Sequence, residues 1–409
     1  MKIWIKYLIG CILGIVMALV FSFDSTQANE VLSFFTEISI RAGRYMVLPL
    51  VFFSMTVAVC KLYEAKKLLS TSLYIILISL FVTALFVIIG ILSVIFVTLP
   101  RIPISVEKVS GTVSLNLIDN ILKIFPYNGI GSLFDGAFLL PLYVLAGFAG
   151  AGFASDRTKS KAAFTVFDSL SKVSYQILCF FTDIIAVGMV AITCTWSINF
   201  FDIIISGTYN GLFILLLIDF IITATVILPL ILRLTCKEMH PYKVLYASLT
   251  SIFAAFFSGD ANFALPLNIR HLHESLGVRR SSGTITLPVF STFLRAGSAL
   301  TIVISFVVVL RSYSSLSISF FDICWIAVMG FLFSFCLGAL PTGGSYVALI
   351  LLFSSYGRGF EAGYLLLKPA AGIICSFAAA MDALVAMFCS YLIAYKQKLI
   401  VHKEIRYYI

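Results

Sequence analysis

Ser258-Gly259-Asp260-Ala261-Asn262 falls in the middle of one apolar stretch, 243–268. Leu340-Pro341-Thr342-Gly343-Gly344-Ser345 falls in the middle of another, 319–356. Each puts Gly, Pro or polar residues where a continuous apolar helix would otherwise run. A helix break facing lipid leaves N–H and C=O groups unpaired at several kcal/mol each, so it persists only where protein or a watery cavity surrounds it. Two broken segments in corresponding positions mark a transport site built from discontinuous helices. We therefore read both stretches as re-entrant helical hairpins.

Outward from these breaks, apolar runs of spanning length cover 4–23, 40–60, 70–100, 133–154, 164–198, 205–232, 281–310 and 364–395. The expected fold is an all-α membrane protein with eight transmembrane helices and two hairpins. Of the 409 residues, 61% are hydrophobic and only 11% charged, against about 25% in an ordinary soluble domain. With so few polar side chains, the solvent for most of the chain must be lipid. Met1–Phe23 has Lys2 and Lys6 ahead of its apolar run, but the run is longer than a signal peptide's and no small-residue cleavage pattern follows, so it reads as the first span.

The net charge of +9 does not point to nucleic acid, because no basic stripe with interleaved aromatics occurs. It follows a topological bias instead. With the N-terminus inside and each hairpin returning to its own side, Lys61, Lys66, Lys67, Arg157, Lys159, Lys161, Arg270, Arg279 and Arg280 all fall inside. The outer loops keep only a few cations, among them Arg101 and Arg311, with Arg41 and Arg44 at the outer start of the second span. Full spans in place of hairpins would put the basic 270–280 loop outside. The nine cysteines are scattered, with no metal spacing, and read as small packing residues. His240, His271, His273 and His402 read as solvated cytoplasmic residues, and 396–409 as a solvated cytoplasmic tail. Asp168, Asp183, Asp219 and Asp322 read as span-end or scaffold polar groups, and Lys172 as a snorkelling interfacial residue.

Broken helices aim free N–H groups at anions, so two converging tips suit a substrate carboxylate. Pro341 enforces the second break, and Gly343 and Gly344 allow close backbone approach. Arg295 stands in an apolar run and requires a partner or a cavity, with Asp260 at the first tip the expected partner. Three roles are open for Arg295: a structural ion pair, a contact to an anionic substrate, or a stand-in for a bound cation. Asp382 is alone in the last span, where an ionisable residue is functional by default, as a cation ligand or a proton carrier.

The order of these elements and their local wording resemble the dicarboxylate/amino acid:cation symporter family, the glutamate-transporter homologues, along nearly the whole chain. Val47–Ser54 resembles the family's PLVF stretch, and Phe125-Pro126-Tyr127-Asn128 its I-P-x-N segment. Phe256–Pro266 sits on the first hairpin tip and Leu287–Leu300 on LPxGxxxNMDGTAL. Gly338–Gly344 sits on the second tip, AGVPGAG, and Ala380–Ala383 on TGDA. The resemblance implies a homotrimer with an elevator mechanism. A fixed scaffold of about 1–65 and 115–200 would support a moving transport subdomain of about 66–100 and 205–395.

It also implies a substrate site at Asp260, Ala261, Asn262, Arg295, Ser298, Pro341, Thr342, Gly343 and Gly344. A cation or proton site would involve Asp382, Thr292, Gly297 and Asp260. Departures are concentrated there. The Asn and Asp of NMDGT become Leu294 and Ala296, with Arg295 between them. In the last span, the family's substrate-gripping Asp, Arg and Asn become Ala371, Ile374 and Ala378. The resemblance therefore does not extend to acidic amino-acid specificity or to coupling by several sodium ions.

The expected function is secondary active symport of a small anionic or zwitterionic substrate, a carboxylate or amino acid, with Na+ or H+ as coupling ion. The alternative is an uncoupled carrier or anion-conducting channel of the same fold. No resident cofactor or metal is expected, and no HExxH, GxSxG or P-loop points to an enzyme. The bilayer is the expected surrounding, a bacterial inner membrane with both termini cytoplasmic.

Overall fold

The computed structural model describes residues 2–21, 26–97, 101–102, 131, 139–236, 240–313, 319–339, 344–357, 363–401, 403 and 408–409. Fifteen α-helices follow in order among these residues. They are α1 (Ile3–Val20), α2 (Thr26–Tyr45), α3 (Val47–Glu64), α4 (Leu68–Phe96), α5 (Leu140–Ser155) and α6 (Arg157–Ile205). Next come α7 (Asn210–Ile222), α8 (Leu228–Cys236), α9 (Tyr242–Ser258), α10 (Ala261–Glu274), α11 (Arg280–Phe293) and α12 (Ala296–Tyr313). The last are α13 (Phe320–Cys336), α14 (Ser345–Tyr356) and α15 (Ala371–Lys396). A π-helical turn, Thr223–Ile227, joins α7 to α8. The described residues contain no strand, only an isolated bridge between Val278 and Ile400.

Seven helical stretches among the described residues are long and apolar enough to cross a membrane. The expected span at 133–154 appears as the shorter α5, and 132–138 lie outside the described residues. The span expected at 40–60 starts earlier, at Thr26, and α2 gives way to α3 at Met46. The run at 281–310 is two helices, with the chain between Phe293 and Ala296 leaving helical geometry at Leu294.

Burial separates the helices into two kinds. α1 and α4 carry large exposed apolar side chains such as Leu19, Val20, Leu69 and Phe81, as expected for a lipid-facing surface. By contrast α12 and most of α15 are buried on every face, and they pack on each other, with α4, α9 and α11 around them. A helix apolar all round belongs in such a core. α1 and α2 pack instead along α6, and α3 packs on α5 and α6. The 49-residue α6 is capped by Asp156, whose carboxylate accepts from the Lys159 N–H at 3.2 Å. That bond holds the Asp156 carboxyl below its usual range.

Both interrupted stretches are helix–break–helix units whose halves pack against each other, α9 with α10 and α13 with α14. Several expectations for polar residues are corrected. His271 is 2% exposed, with Nδ1 3.2 Å from the Ser275 hydroxyl, and His273 Nδ1 lies 3.0 Å from the Val278 carbonyl. The two close the turn after α10 instead of facing water, while His402 lies outside the described residues. Asp219 is 3% exposed inside α7, not at a span end. The tail is not free either. Arg279 N–H donates to Leu399 O and Val401 N–H to Gly277 O, both at 2.9 Å, and Tyr408 is buried against Tyr246.

Candidate functional site

The predicted residues fall into two groups on α15. The first centres on Asp382, in the middle of that helix and 1% exposed. The break before α12 leaves the first N–H groups of that helix unpaired, and Asp382 accepts them. Its Oδ1 takes Gly297 N–H at 2.7 Å and Ser298 N–H at 3.1 Å, and its Oδ2 takes the Ser298 hydroxyl at 2.6 Å. Gly297 permits this approach, because a Cβ there would overlap Met381. A carboxylate on a helix N-terminus is favoured by the dipole as well as by these hydrogen bonds.

Arg295 completes the group. Its Nη1 lies 3.7 Å from Asp382 Oδ2. The expected Arg295–Asp260 pair is therefore corrected: the break turns Arg295 toward α15, and its counter-ion is Asp382. Nε of Arg295 is buried with no hydrogen-bond partner among the described residues. Thr292, one turn before the break, has Oγ1 3.1 Å from the Tyr143 hydroxyl and 3.0 Å from Pro288 O. Among the described residues its side chain makes no hydrogen bond to the Asp382 carboxylate.

The second group is the first hairpin tip. Gly259 ends α9 with φ +65, the left-handed conformation that costs other residues about 1–2 kcal/mol. Asp260 then caps α10, its Oδ1 accepting Asn262 N–H at 3.0 Å. Its Oδ2 accepts from Arg44 of α2, which is its ion-pair partner. Ala261 is buried in a cluster of small residues with Ala255, Ala264, Ala379 and Ala383, which seats the tip directly on α15. The Asn262 side-chain oxygen has no partner among the described residues.

Of the second tip, Pro341, Thr342 and Gly343 lie outside the described residues. Gly344 precedes α14, whose N-terminus has no side-chain cap, and Ser345 Oγ is 3.6 Å from Cys375 Sγ on α15. A cavity of about 310 Å³ lies between the first tip, α2, α6 and α15. Its polar lining comes from Thr36, Thr195, Asn199, Ser258, Cys375 and Ser376, with no charged side chain. Trp196 Nε1 donates to Ser376 Oγ at 2.9 Å along one wall. Cys375 is seven residues, roughly 10 Å along a helix, from Asp382, so the cavity and the carboxylate are neighbouring but distinct.

Arg44, Thr36, Thr195, Asn199 and the Cys375-Ser376 pair were not read from sequence as site residues. Arg44 counted only as an outer-face charge. The hydroxyls of α2 and α6 carry no local signal, because Ser and Thr in apolar helices commonly bond their own backbone, as Ser39 does to Phe35 O.

The sodium:dicarboxylate symporter family matches residues 3–396. The serine/threonine transporter SstT of Acinetobacter baumannii (strain AYE) is 27% identical over 308 residues, covering 73% of this chain and 72% of the relative. SstT of Acinetobacter baylyi is 26% identical over 323 residues, 77% and 76% of the two chains. The human neutral amino acid transporter B(0) is 24% identical over 224 residues, 54% of this chain and 41% of that protein. With its apolar helices and its broken helices gathered on α15, and with a match along almost its whole length, the chain belongs to the sodium:dicarboxylate symporter family, a family of multi-pass membrane transporters and not of enzymes.

Proposed function

We propose that this chain carries a small amino acid across the membrane by cation symport, with an elevator mechanism. The scaffold is about 1–65 and 115–200, and the transport subdomain about 66–100 and 205–395. The observation that carries the reading is the seating of the α11–α12 break on Asp382, inside the best-buried helices of the molecule. Ionisable residues and discontinuous helices at that depth mark the substrate and ion paths of transporters.

The substrate favoured is small, neutral and zwitterionic. Among the described residues the cavity has no charged side chain, and Ile374 stands where the family resemblance places a carboxylate-gripping Arg, so this lining offers a side-chain carboxylate no cation. Names of relatives agree, one being a serine/threonine transporter and another a neutral amino acid transporter. The substrate's own carboxylate would meet the uncapped N-terminus of α14 beside Gly344 and Ser345, near Pro341, Thr342 and Gly343. The tip residues Asp260, Ala261 and Asn262 would flank it. The coupling ion is sodium or a proton, the family's name favouring sodium. A homotrimer in a bacterial inner membrane, with both termini cytoplasmic, completes the proposal.

A second reading, an uncoupled carrier, rests on one feature. Asp382 already accepts two N–H groups and a hydroxyl, and the Arg295 guanidinium stands beside it. Sodium needs free oxygen ligands, and a fixed cation a few ångströms away repels it. On this second reading Arg295 is the built-in cation of the seat, and no coupling ion binds there. Counterflow and gradient-driven uptake of labelled serine, alanine and succinate in proteoliposomes separate the readings. Concentrative uptake supports symport, exchange without concentration supports the uncoupled carrier, and no movement of serine or alanine, or movement of succinate alone, rejects the proposed substrate class.

A further inference from the structure

Hairpin 1, the α9–α10 unit, lies along α6 and meets it differently at its two ends. In the middle the contact is apolar, with Ile185, Ala186, Met189 and Ile192 of α6 against Ala254, Phe263 and Leu267 of the hairpin. Such a surface has no directional bonds and permits sliding. Toward the tip, Trp196 of α6 packs on Phe256 and Phe257, again without charge. At the far end of α10, roughly 20 Å from the tip, the contact is ionic.

There Arg270, whose side chain is 11% exposed, puts one nitrogen onto three α6 acceptors. They are Cys179 O at 2.9 Å, the Thr182 hydroxyl at 2.6 Å and Asp183 Oδ2 at 3.3 Å. Glu274 of the same helix takes two α6 donors on Oε1, the Tyr175 hydroxyl at 2.8 Å and the Cys179 thiol at 3.4 Å. Arg270 Nε and Glu274 Oε2 pair within the helix at 3.4 Å, so each charge is held by the other as well as by α6. Lys6 of α1 pairs with the other Asp183 oxygen at 3.1 Å. The bonds thus run in both directions across a single boundary, and none involves Asp382, Arg295 or the cavity.

We propose that the Arg270–Glu274 pair of hairpin 1 is a conformational latch that engages α6 and must release when hairpin 1 moves along it. The proposal rests on the elevator reading above, in which α6 is fixed and hairpin 1 travels. Sliding by one helical turn, about 5.4 Å, would break the bonds to Cys179, Thr182 and Asp183 together, because their geometry is specific while the apolar contact beside them is not. The latch therefore defines a discrete resting position. The half-buried Cys179 is its native reporter, since its thiol donates to Glu274 and is released with it.

The test is the rate at which a membrane-impermeant maleimide labels Cys179 in the full chain in nanodiscs, read by peptide mass spectrometry. The variants are Tyr175→Phe and Asp183→Asn, which both keep Glu274 and so leave the charge beside the thiol unchanged. The latch predicts faster labelling of Cys179 by roughly five- to thirty-fold in either variant, the shift expected for losing one charge-assisted bond. The deeply buried Cys11 and Cys389 should keep their rates. Unchanged Cys179 labelling in both variants overturns the latch. So does a parallel rise at Cys11 and Cys389, which marks general loosening of the fold. Failure of the proposed function shows separately, as absence of serine counterflow in the unmodified chain, and leaves the labelling result standing.

Discussion

Two helix breaks in this molecule use the same device in opposite surroundings. At the hairpin tip, Asp260 caps α10 and pairs with Arg44, with the two side chains 23% and 44% exposed. At the α11–α12 break, Asp382 caps α12 from another helix and pairs with Arg295, at 1% and 15% exposure. In each, a carboxylate satisfies the start of a helix and an arginine balances the carboxylate. Solvent screens the first pair, so its worth is about 0–1 kcal/mol. The second is dry, and removing one partner strands the other at about 3–5 kcal/mol. The surroundings, more than the residue types, decide which break is structural bedrock and which can open.

The sharpest way to break that comparison is Asp382→Ala. It strands two buried N–H groups, a hydroxyl and a guanidinium, and the expected cost is about 3–5 kcal/mol with loss of transport. Thermal melting in detergent and serine counterflow measure both, and a melt within error of the parent would show that Asp382 is not a buried keystone. Arg295→Met comes next, at about 3 kcal/mol, because it leaves the Asp382 charge without its cation. It also opens the seat, so added sodium should raise the variant's melting temperature by more than it raises the parent's. Equal sodium responses would sever Arg295 from any cation role.

Gly259→Ala is expected to cost about 1 kcal/mol from φ alone, since the space around that position is open. The smallest effect belongs to Arg44→Gln, at under about 1 kcal/mol, with a double-mutant cycle against Asp260→Asn that shrinks as salt rises. A large, salt-insensitive coupling there would erase the contrast between the two breaks.

The breaks themselves were legible in sequence, because Gly, Pro and polar residues inside apolar runs leave few helical options. Asp382 was legible as a lone membrane carboxylate. The partner of Arg295 was not, since the turn at Leu294 that aims it at α15 is a backbone event with no residue signature, and Asp382 is distant along the chain. The same applies to Arg44 and Asp260, brought together only by packing of α2 on hairpin 1. The tail was misread because a short basic end looks solvated, whereas the pairing of Leu399 and Val401 with 277–279 is purely tertiary. His271 failed for a related reason: Arg270, Arg279 and Arg280 made the segment look like a basic loop, when Arg270 and His271 belong to the buried end of α10.

The most direct test of the account is uptake of labelled serine into proteoliposomes holding the full chain, with sodium and proton gradients imposed one at a time. The account predicts accumulation above the external concentration under at least one of the two gradients. Equilibration without accumulation under both, in protein that melts cooperatively, would contradict it and leave the uncoupled carrier as the reading of this fold.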